Sequence, residues 1–171
     1  MNLKNTFFDT CRQINCRGKL LDLSTPKVMG VLNVTPDSFY DGGKYTQDVV
    51  ILRQAEKMLQ DGAAIIDVGG MSSKPGAAII EVDVELQRVI PVIGMVVKEF
   101  PSTIISIDTI RAKVVKEAVE AGASIVNDIS AGGLDSNLLE TVGTLDVPYI
   151  LMHMQGKPED MQLNPSYENV I

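Results

Sequence analysis

Five short apolar runs lie along the chain, separated by stretches in which apolar residues recur at helical spacing. The runs are continuous rather than alternating, which is typical of parallel strands buried on both faces. We predict these strands at positions 28–33, 64–68, 104–108, 124–128 and 147–153. The alternation of strands and helices predicts an α/β fold.

Four helices are predicted between the strands, each from an apolar stripe. Their inward residues are Ile51, Leu52, Ala55, Met58 and Leu59; then Leu86, Val89, Ile90, Ile93 and Val97; then Val114, Val115 and Ala118; and last Leu138, Leu139 and Val142. Gly62 and Gly122 should end the first and third helices, and Pro91 should bend the second. Residues 15–23 have no helical period and are predicted to form a hairpin over a barrel floor. From Ser166 onward the chain reads as the start of another helix.

A weak internal repeat supports a fold built from identical units. Residues 61–67 and 121–127 both read as a helix end, a glycine, a small residue and a strand with a polar side chain. Two architectures fit this repeat. One is a (β/α)₈ TIM barrel, of which the chain would supply about five βα units, since a whole barrel needs about 250 residues. The other is a doubly wound five-stranded sheet, which fits the length better.

Polar residues at the strand ends favour the barrel. They are Asn33, Asp67, Asp108, Asn127 and His153. The carboxyl ends of barrel strands converge on one mouth, where barrel enzymes hold their active sites. Each residue has a structural alternative; Asp108, for example, could be the N-cap of a helix beginning near Thr109. We interpret His153 as a scaffold residue rather than a catalytic one.

Two long segments follow the first two strands. Residues 33–43 and 69–77 are rich in Gly, Ser and Pro, and both lie where barrel enzymes place binding loops and lids. Flexible connections are the alternative. Phe39 argues against that alternative, because an aromatic ring on a polar loop is costly to expose unless it packs against something.

Charge and composition exclude several classes of protein. The net charge of −7 argues against a nucleic-acid binder and against a polybasic membrane anchor. Cys11 and Cys16 are too few for a closed zinc site and are expected to be reduced thiols. With no signal peptide and no apolar run of spanning length in the sequence, a cytoplasmic location is expected.

Five motifs in order resemble the dihydropteroate synthases, a pterin-binding family, from about Val28 to the last residue. They are Asn33-Val34-Thr35-Pro36-Asp37-Ser38-Phe39 with Asp41-Gly42-Gly43; Ile66-Asp67-Val68-Gly69-Gly70 with Ser72-Ser73-Lys74-Pro75-Gly76; Ile105-Ser106-Ile107-Asp108-Thr109; Val126-Asn127-Asp128-Ile129; and Met152-His153-Met154-Gln155-Gly156-Lys157-Pro158 with Met161-Gln162. The first motif is highly specific and the ordered set more so.

The resemblance implies a fold, a reaction and roles for residues. It implies a TIM barrel in which residues 1–171 are one pterin-binding domain that ends before the barrel closes. The implied enzyme condenses para-aminobenzoate with 6-hydroxymethyl-7,8-dihydropterin pyrophosphate, is a sulfonamide target and is a homodimer when full length. It would use Mg²⁺ to neutralise the leaving pyrophosphate.

The same resemblance assigns the candidate site residues. Asp108 and Asn127 would grip the pterin ring, with Asp67 as a further substrate contact. Asn33 would bind the metal, and Asp41 would be catalytic together with Asp108, holding or orienting metal and loop. The remaining substrate contacts, which would build the aminobenzoate pocket and close over the pyrophosphate, are Phe39, Ser73, Lys74 and Pro75.

One motif departs from the family, and two alternatives stay open. The family more often has Glu-Ser-Thr-Arg where this chain has Met71-Ser72-Ser73-Lys74, and lysine cannot make the bidentate fork of arginine. One alternative is the methyltetrahydrofolate-binding domain of a methyltransferase, which has no reason to keep a metal–pyrophosphate loop. The other is an inactive remnant or pterin-binding fragment, because the family's strongly basic residues lie beyond Ile171. Residues 1–171 alone are not expected to be catalytically competent.

Overall fold

The computed structural model describes residues 12–35, 44–71, 80–156, 161 and 165–169. Its elements, in chain order, are β1 Gln13–Cys16, β2 Lys19–Asp22, β3 Val28–Asn33, α1 Lys44–Gln60, β4 Ala63–Gly69, α2 Val82–Glu99, β5 Ile104–Asp108, α3 Ala112–Ala121, β6 Ile125–Asp128, α4 Leu138–Leu145 and β7 Tyr149–Leu151. The five predicted strands and four predicted helices are all present.

Strands β3 to β7 form one parallel sheet whose spatial order follows the chain order. A doubly wound sheet reverses its strand order at a switch point, and this sheet has no reversal. The sheet is instead the wall of a partial TIM barrel, with a helix following each of its first four strands. The doubly wound alternative is therefore wrong.

The face of the sheet that packs against the helices is largely apolar. Its buried residues are Leu32, Ile66, Val68, Ile105, Ile107 and Val126, and they form one cluster with the inward stripes of α1 to α4. This cluster accounts for one half of each continuous apolar run, and the alternate residues point to the inward face, where the hairpin covers Ile65, Ile104 and Ile125. The inward residues of the helices pack against these strand residues, and the burial of this apolar surface stabilises the sheet.

The opposite, inward face is layered from floor to mouth. The hairpin of β1 and β2 places Cys16 and Leu21 against Ile65, Ile104 and Ile125, which forms a second, smaller core. The prediction of a hairpin over the floor is confirmed. Above this apolar floor, the inward face becomes polar toward the carboxyl ends of the strands, where the candidate site lies.

The helix ends predicted at two glycines are confirmed. Gly62 (φ +103°) and Gly122 (φ +120°) follow α1 and α3 in a backbone conformation that side chains with a Cβ avoid. Both lead into a strand within three residues, as the repeat predicts. Pro91 lies inside α2. None of the helices in the described ranges is long and apolar enough to cross a membrane.

Three local predictions are wrong. Leu139 does not face the core: it is 52% exposed, while Leu138 and Val142 on the same helix are buried. The last strand is shorter than predicted and ends at Leu151, so His153 lies beyond it. Residues 165–169 are not helical. The short strand lacks a neighbour on its far side in the described chain, and Ile150 and Leu151 are exposed there.

Candidate functional site

Four strand ends form a continuous row at the mouth of the wall. Asn33 is paired in register with Gly69, Gly69 with Asp108, and Asp108 with Asn127. Residues paired in register point to the same side of a sheet, and this side is the inward one. The sequence prediction that these polar side chains converge is confirmed for Asn33, Asp108 and Asn127.

Gly69 opens a gap in the middle of this row. A Cβ at Gly69 would lie 3.0 Å from Asn33 Oδ1 and 3.4 Å from Asp108 Oδ2. The amide oxygen and the carboxylate therefore flank the same small volume, which the absent side chain leaves free. Any larger residue at this position would push these two groups apart.

Asp67 lies one layer deeper, two residues before the end of β4. Its side chain is nearly buried, and Asn127 Nδ2 donates a 3.0 Å hydrogen bond to Asp67 Oδ2. Asp67 Oδ1 and the Ser106 hydroxyl, which is paired with Asp67 across the sheet, are buried without a partner among the described residues. Burial raises the pKa of Asp67, and the neighbouring Ser106 hydroxyl and then the Asn127 amide oppose part of that rise.

Asp108 is the most electrostatically perturbed of these groups. Burial, then the negative charges of Asp67, Glu85 and Asp128, raise its pKa to about 7. Within the described part of the chain its carboxylate has no hydrogen-bond donor. A carboxylate in this state is energetically poised to receive N–H donors or a positive charge from a ligand. The N-cap alternative for Asp108 is wrong, because α3 begins only at Ala112.

The helix-facing side of the same strand ends carries another acid, Asp128, which lies in a sequence motif but was not among the predicted site residues. Asp128 is fully buried, and its two oxygens accept hydrogen bonds from Ser130 N, Ser130 Oγ, Gly132 N and the Tyr149 hydroxyl. This fixes the turn after β6 to strand β7. Burial, followed by this hydrogen bond, raises the pKa of Tyr149 above its usual range.

Glu85 on α2 is a further buried acid near these strand ends, and it was not predicted from the sequence. It accepts a 2.6 Å hydrogen bond from the Thr109 hydroxyl and forms a 2.6 Å ion pair with Arg111. Thr109 directly follows Asp108 along the chain, and Arg111 comes three residues after it. In the sequence Glu85 reads as one more charge on an amphipathic helix, and nothing local distinguishes it from its exposed neighbour Asp83.

Asn33 is the predicted metal ligand, and its surroundings fit a hard cation. Its amide oxygen is the type of ligand that Mg²⁺ accepts, and Asp67, Asp108, Glu85 and Asp128 put an excess of negative charge nearby. Among the described residues, no three or more His, Cys, Asp or Glu side chains are grouped so that they could hold a metal ion. A cation here would therefore depend on water and substrate oxygens, as Mg²⁺ commonly does.

Five predicted site residues lie outside the described residues. They are Phe39, Asp41, Ser73, Lys74 and Pro75. His153 is described: it is exposed and its ring meets that of Tyr167 edge-on at 5.6 Å between centroids. The structure does not place His153 in the row of strand ends.

The family profile and the relatives that match this chain all belong to one family of enzymes. Residues 29–171 match the profile of the family described as "Pterin binding enzyme". The dihydropteroate synthase of Haemophilus influenzae is 46% identical over 159 residues, which cover 93% of this chain and 57% of the relative. That of Escherichia coli K12 is 47% identical over 154 residues, covering 90% and 54%. The chain thus spans little more than half the length of these relatives.

Solved structures give the same result. A Yersinia pestis dihydropteroate synthase described with a sulfonamide drug superposes with a TM-score of 0.81 at 44% identity, covering 92% of this chain and 56% of that one. A Xanthomonas albilineans dihydropteroate synthase described with 4-aminobenzoic acid gives 0.80 at 40% identity, covering 92% and 55%.

Proposed function

Since the chain belongs to the pterin-binding enzyme family, we propose that it forms the pterin-binding part of a dihydropteroate synthase, a transferase. The reaction joins para-aminobenzoate to 6-hydroxymethyl-7,8-dihydropterin pyrophosphate, and yields dihydropteroate and pyrophosphate for folate biosynthesis. Relatives bearing the enzyme's name, and neighbours described with 4-aminobenzoic acid or with 7,8-dihydropteroate, support this assignment.

One observation carries the proposal: the Asp108 carboxylate and the Asn127 amide are adjacent in register at the mouth, with Asp67 directly behind the amide. A pterin ring presents N–H donors and ring acceptors along one edge. Asp108 can accept two N–H groups from that edge. Because Asn127 Nδ2 is engaged by Asp67, its carbonyl oxygen is left to accept a further ligand N–H.

The same arrangement suits the chemical step. The bond between the pterin methylene carbon and the pyrophosphate oxygen breaks as positive charge develops on the pterin. The amine nitrogen of para-aminobenzoate then forms the new bond to that carbon and gives up one proton to solvent. Asp108, surrounded by three other acids, stabilises that charge more strongly in the transition state than in the neutral ground state. The burial and the acidic neighbours that raise the pKa of Asp108 make its negative charge unfavourable, and a positive charge on the pterin would offset that unfavourable energy.

The metal is part of the proposal. Mg²⁺, when bound, would neutralise the leaving pyrophosphate, and Asn33 would hold it through the amide oxygen beside Gly69. Asp41 is assigned to orient metal and loop by resemblance alone. So are the aminobenzoate and pyrophosphate contacts of Phe39, Ser73, Lys74 and Pro75.

The wider setting follows the same assignment. We propose that the enzyme binds sulfonamides, which the drug complex of the Yersinia pestis relative supports, and that it is a homodimer, which rests on the family resemblance alone. We also propose a cytoplasmic location, with which the free Cys16 thiol agrees. Neither nucleic acid nor membrane enters the proposal as a partner.

The test uses the full gene product that contains residues 1–171. Pyrophosphate release is measured with both substrates and Mg²⁺, with and without a chelator, for wild type, Asp108→Asn and the exposed-carboxylate control Asp83→Asn. We expect turnover in wild type and Asp83→Asn, a loss on the order of a hundredfold or more in Asp108→Asn, and dependence on Mg²⁺.

Different failures have different meanings. Equal turnover in Asp108→Asn would remove Asp108 from the mechanism, and indifference to the chelator would refute the metal assignment to Asn33. A wild-type protein that binds the dihydropterin without turnover would be a pterin-binding remnant. A protein that binds neither substrate would refute the proposed function.

A further inference from the structure

Glu85 carries a charge in a place where stability alone does not require one. It is fully buried in α2, under the strand ends rather than at the surface. Burying an ion pair costs desolvation that its attraction only partly offsets, and well-packed apolar residues commonly serve the core as well. The contacts of Glu85 therefore indicate which groups its carboxylate holds in place.

Both oxygens of Glu85 are committed to the segment that follows Asp108. Oε1 accepts from the Thr109 hydroxyl, and Oε2 accepts from Arg111 Nη1, each at 2.6 Å. Thr109 is itself buried, and its backbone N–H donates to Asn127 O at 3.0 Å. The residue after Asp108 is thus fixed on one side by Glu85 and on the other by the strand of Asn127.

The end of β4 rests on the same helix turn. A Cβ at Gly70 would lie 3.1 Å from Glu85 Cγ and 2.8 Å from Val89 Cγ1, and Arg88 Nη1 donates to Gly70 O at 2.8 Å. Arg111 Nη2 in turn donates to Ile80 O, just before α2. One turn of α2 therefore holds the ends of β4 and β5 at a fixed separation.

We propose that Glu85 is a positioning residue for pterin binding, which sets the orientation of Asp108 through the Thr109 hydroxyl. This inference rests on the proposed function. The peptide unit that follows Asp108 is held by Glu85 through the Thr109 hydroxyl and by β6 through the Thr109 N–H, which fixes the backbone from which the Asp108 side chain projects. The Asp108 carboxylate is then already placed beside Gly69 before the ligand binds, and binding does not have to include the cost of ordering it.

The experiment separates positioning from simple stability. Thr109→Val removes the hydroxyl and keeps the shape, whereas Thr109→Ser keeps the hydroxyl. Asp83→Asn is the matched control, because Asp83 on α2 forms an ion pair with Lys113 on α3 at 2.8 Å that is exposed to solvent. The dissociation constant of 6-hydroxymethyl-7,8-dihydropterin pyrophosphate is measured by calorimetry on the full gene product, with the melting temperature of each variant.

We expect Thr109→Val to weaken pterin binding on the order of tenfold, and Thr109→Ser and Asp83→Asn to bind within about twofold of wild type. If Thr109→Val does not fold, Glu85→Asp replaces it with the same expected loss, because it keeps the charge and withdraws the carboxylate by one methylene. A lower melting temperature with unchanged affinity would overturn the positioning role alone. A wild-type protein that does not bind the pterin would overturn both this inference and the proposed function.

Discussion

Replacing Asp108 by asparagine should stabilise the folded protein at alkaline pH while it impairs ligand binding. The pKa of Asp108 is raised from 3.8 to about 7, first by burial and then by Asp67, Glu85 and Asp128. At about 1.4 kcal/mol per pKa unit, the free energy that separates the two protonation states in the folded and unfolded chains is roughly 4 kcal/mol. Asparagine keeps the shape of the side chain and cannot carry the charge.

The sign of the pH dependence follows from the direction of the shift. Because the pKa is higher in the folded state, the folded chain binds the Asp108 proton more tightly than the unfolded chain does. That contribution to stability is complete below about pH 4 and is lost as the pH rises through about 7. Between pH 5 and pH 8, wild type should therefore lose roughly 2 to 3 kcal/mol of stability relative to Asp108→Asn.

The measurement is urea unfolding of both proteins at pH 5 and pH 8, with the difference between variants taken at each pH. Other titrating groups contribute to both proteins and largely cancel in that difference. A difference in the free energy of unfolding that stays the same at the two pH values would refute the reasoning. Asp108 would then be neither strained by its acidic neighbours nor poised to receive a cation.

Three further perturbations test the packing around the site. Leu138→Ala should cost about 2 to 5 kcal/mol in urea unfolding, because Leu138 is fully buried, and Leu139→Ala less than about 1 kcal/mol; equal losses would contradict the orientation of α4. Asp128→Ala should cost at least about 1 to 3 kcal/mol, the penalty for a buried donor left without an acceptor, because four donors lose theirs; a near-neutral calorimetric result would contradict that network. Gly69→Ala should reduce pterin binding on the order of tenfold with little change in melting temperature, since its Cβ would crowd Asn33 Oδ1; unchanged binding in calorimetry would show that the gap is not used.

The wall of the barrel was predictable because each strand is buried on both faces. Continuous apolar runs located β3 and β5 to the residue, and the polar residues at their ends gave the mouth. Leu139 was assigned wrongly because Leu138 and Val142 already complete the buried face of a two-turn helix. Leu139 points instead toward Gly132, whose missing side chain leaves it room.

The buried acids behind the mouth were harder to find. Glu85 and Arg111 are 26 residues apart, and no local pattern links a charge on one helix to the start of the next. A signal for Asp128 was present: it follows the inward-pointing Asn127, so strand alternation turns it toward the helix layer, where a carboxylate needs several donors. Those donors follow within the next four residues and in β7.

The hairpin on the floor constrains the order in which the chain can fold. Arg17 donates to Val119 O and Lys19 to Thr103 O, so the hairpin is held by groups about 80 to 100 positions later in the chain. These docking contacts cannot form until β5 and α3 are in place, although the hairpin precedes both of them in the chain. Its docking is therefore a late event, and weakening the hairpin should accelerate unfolding while leaving the rate of assembly of the wall nearly unchanged.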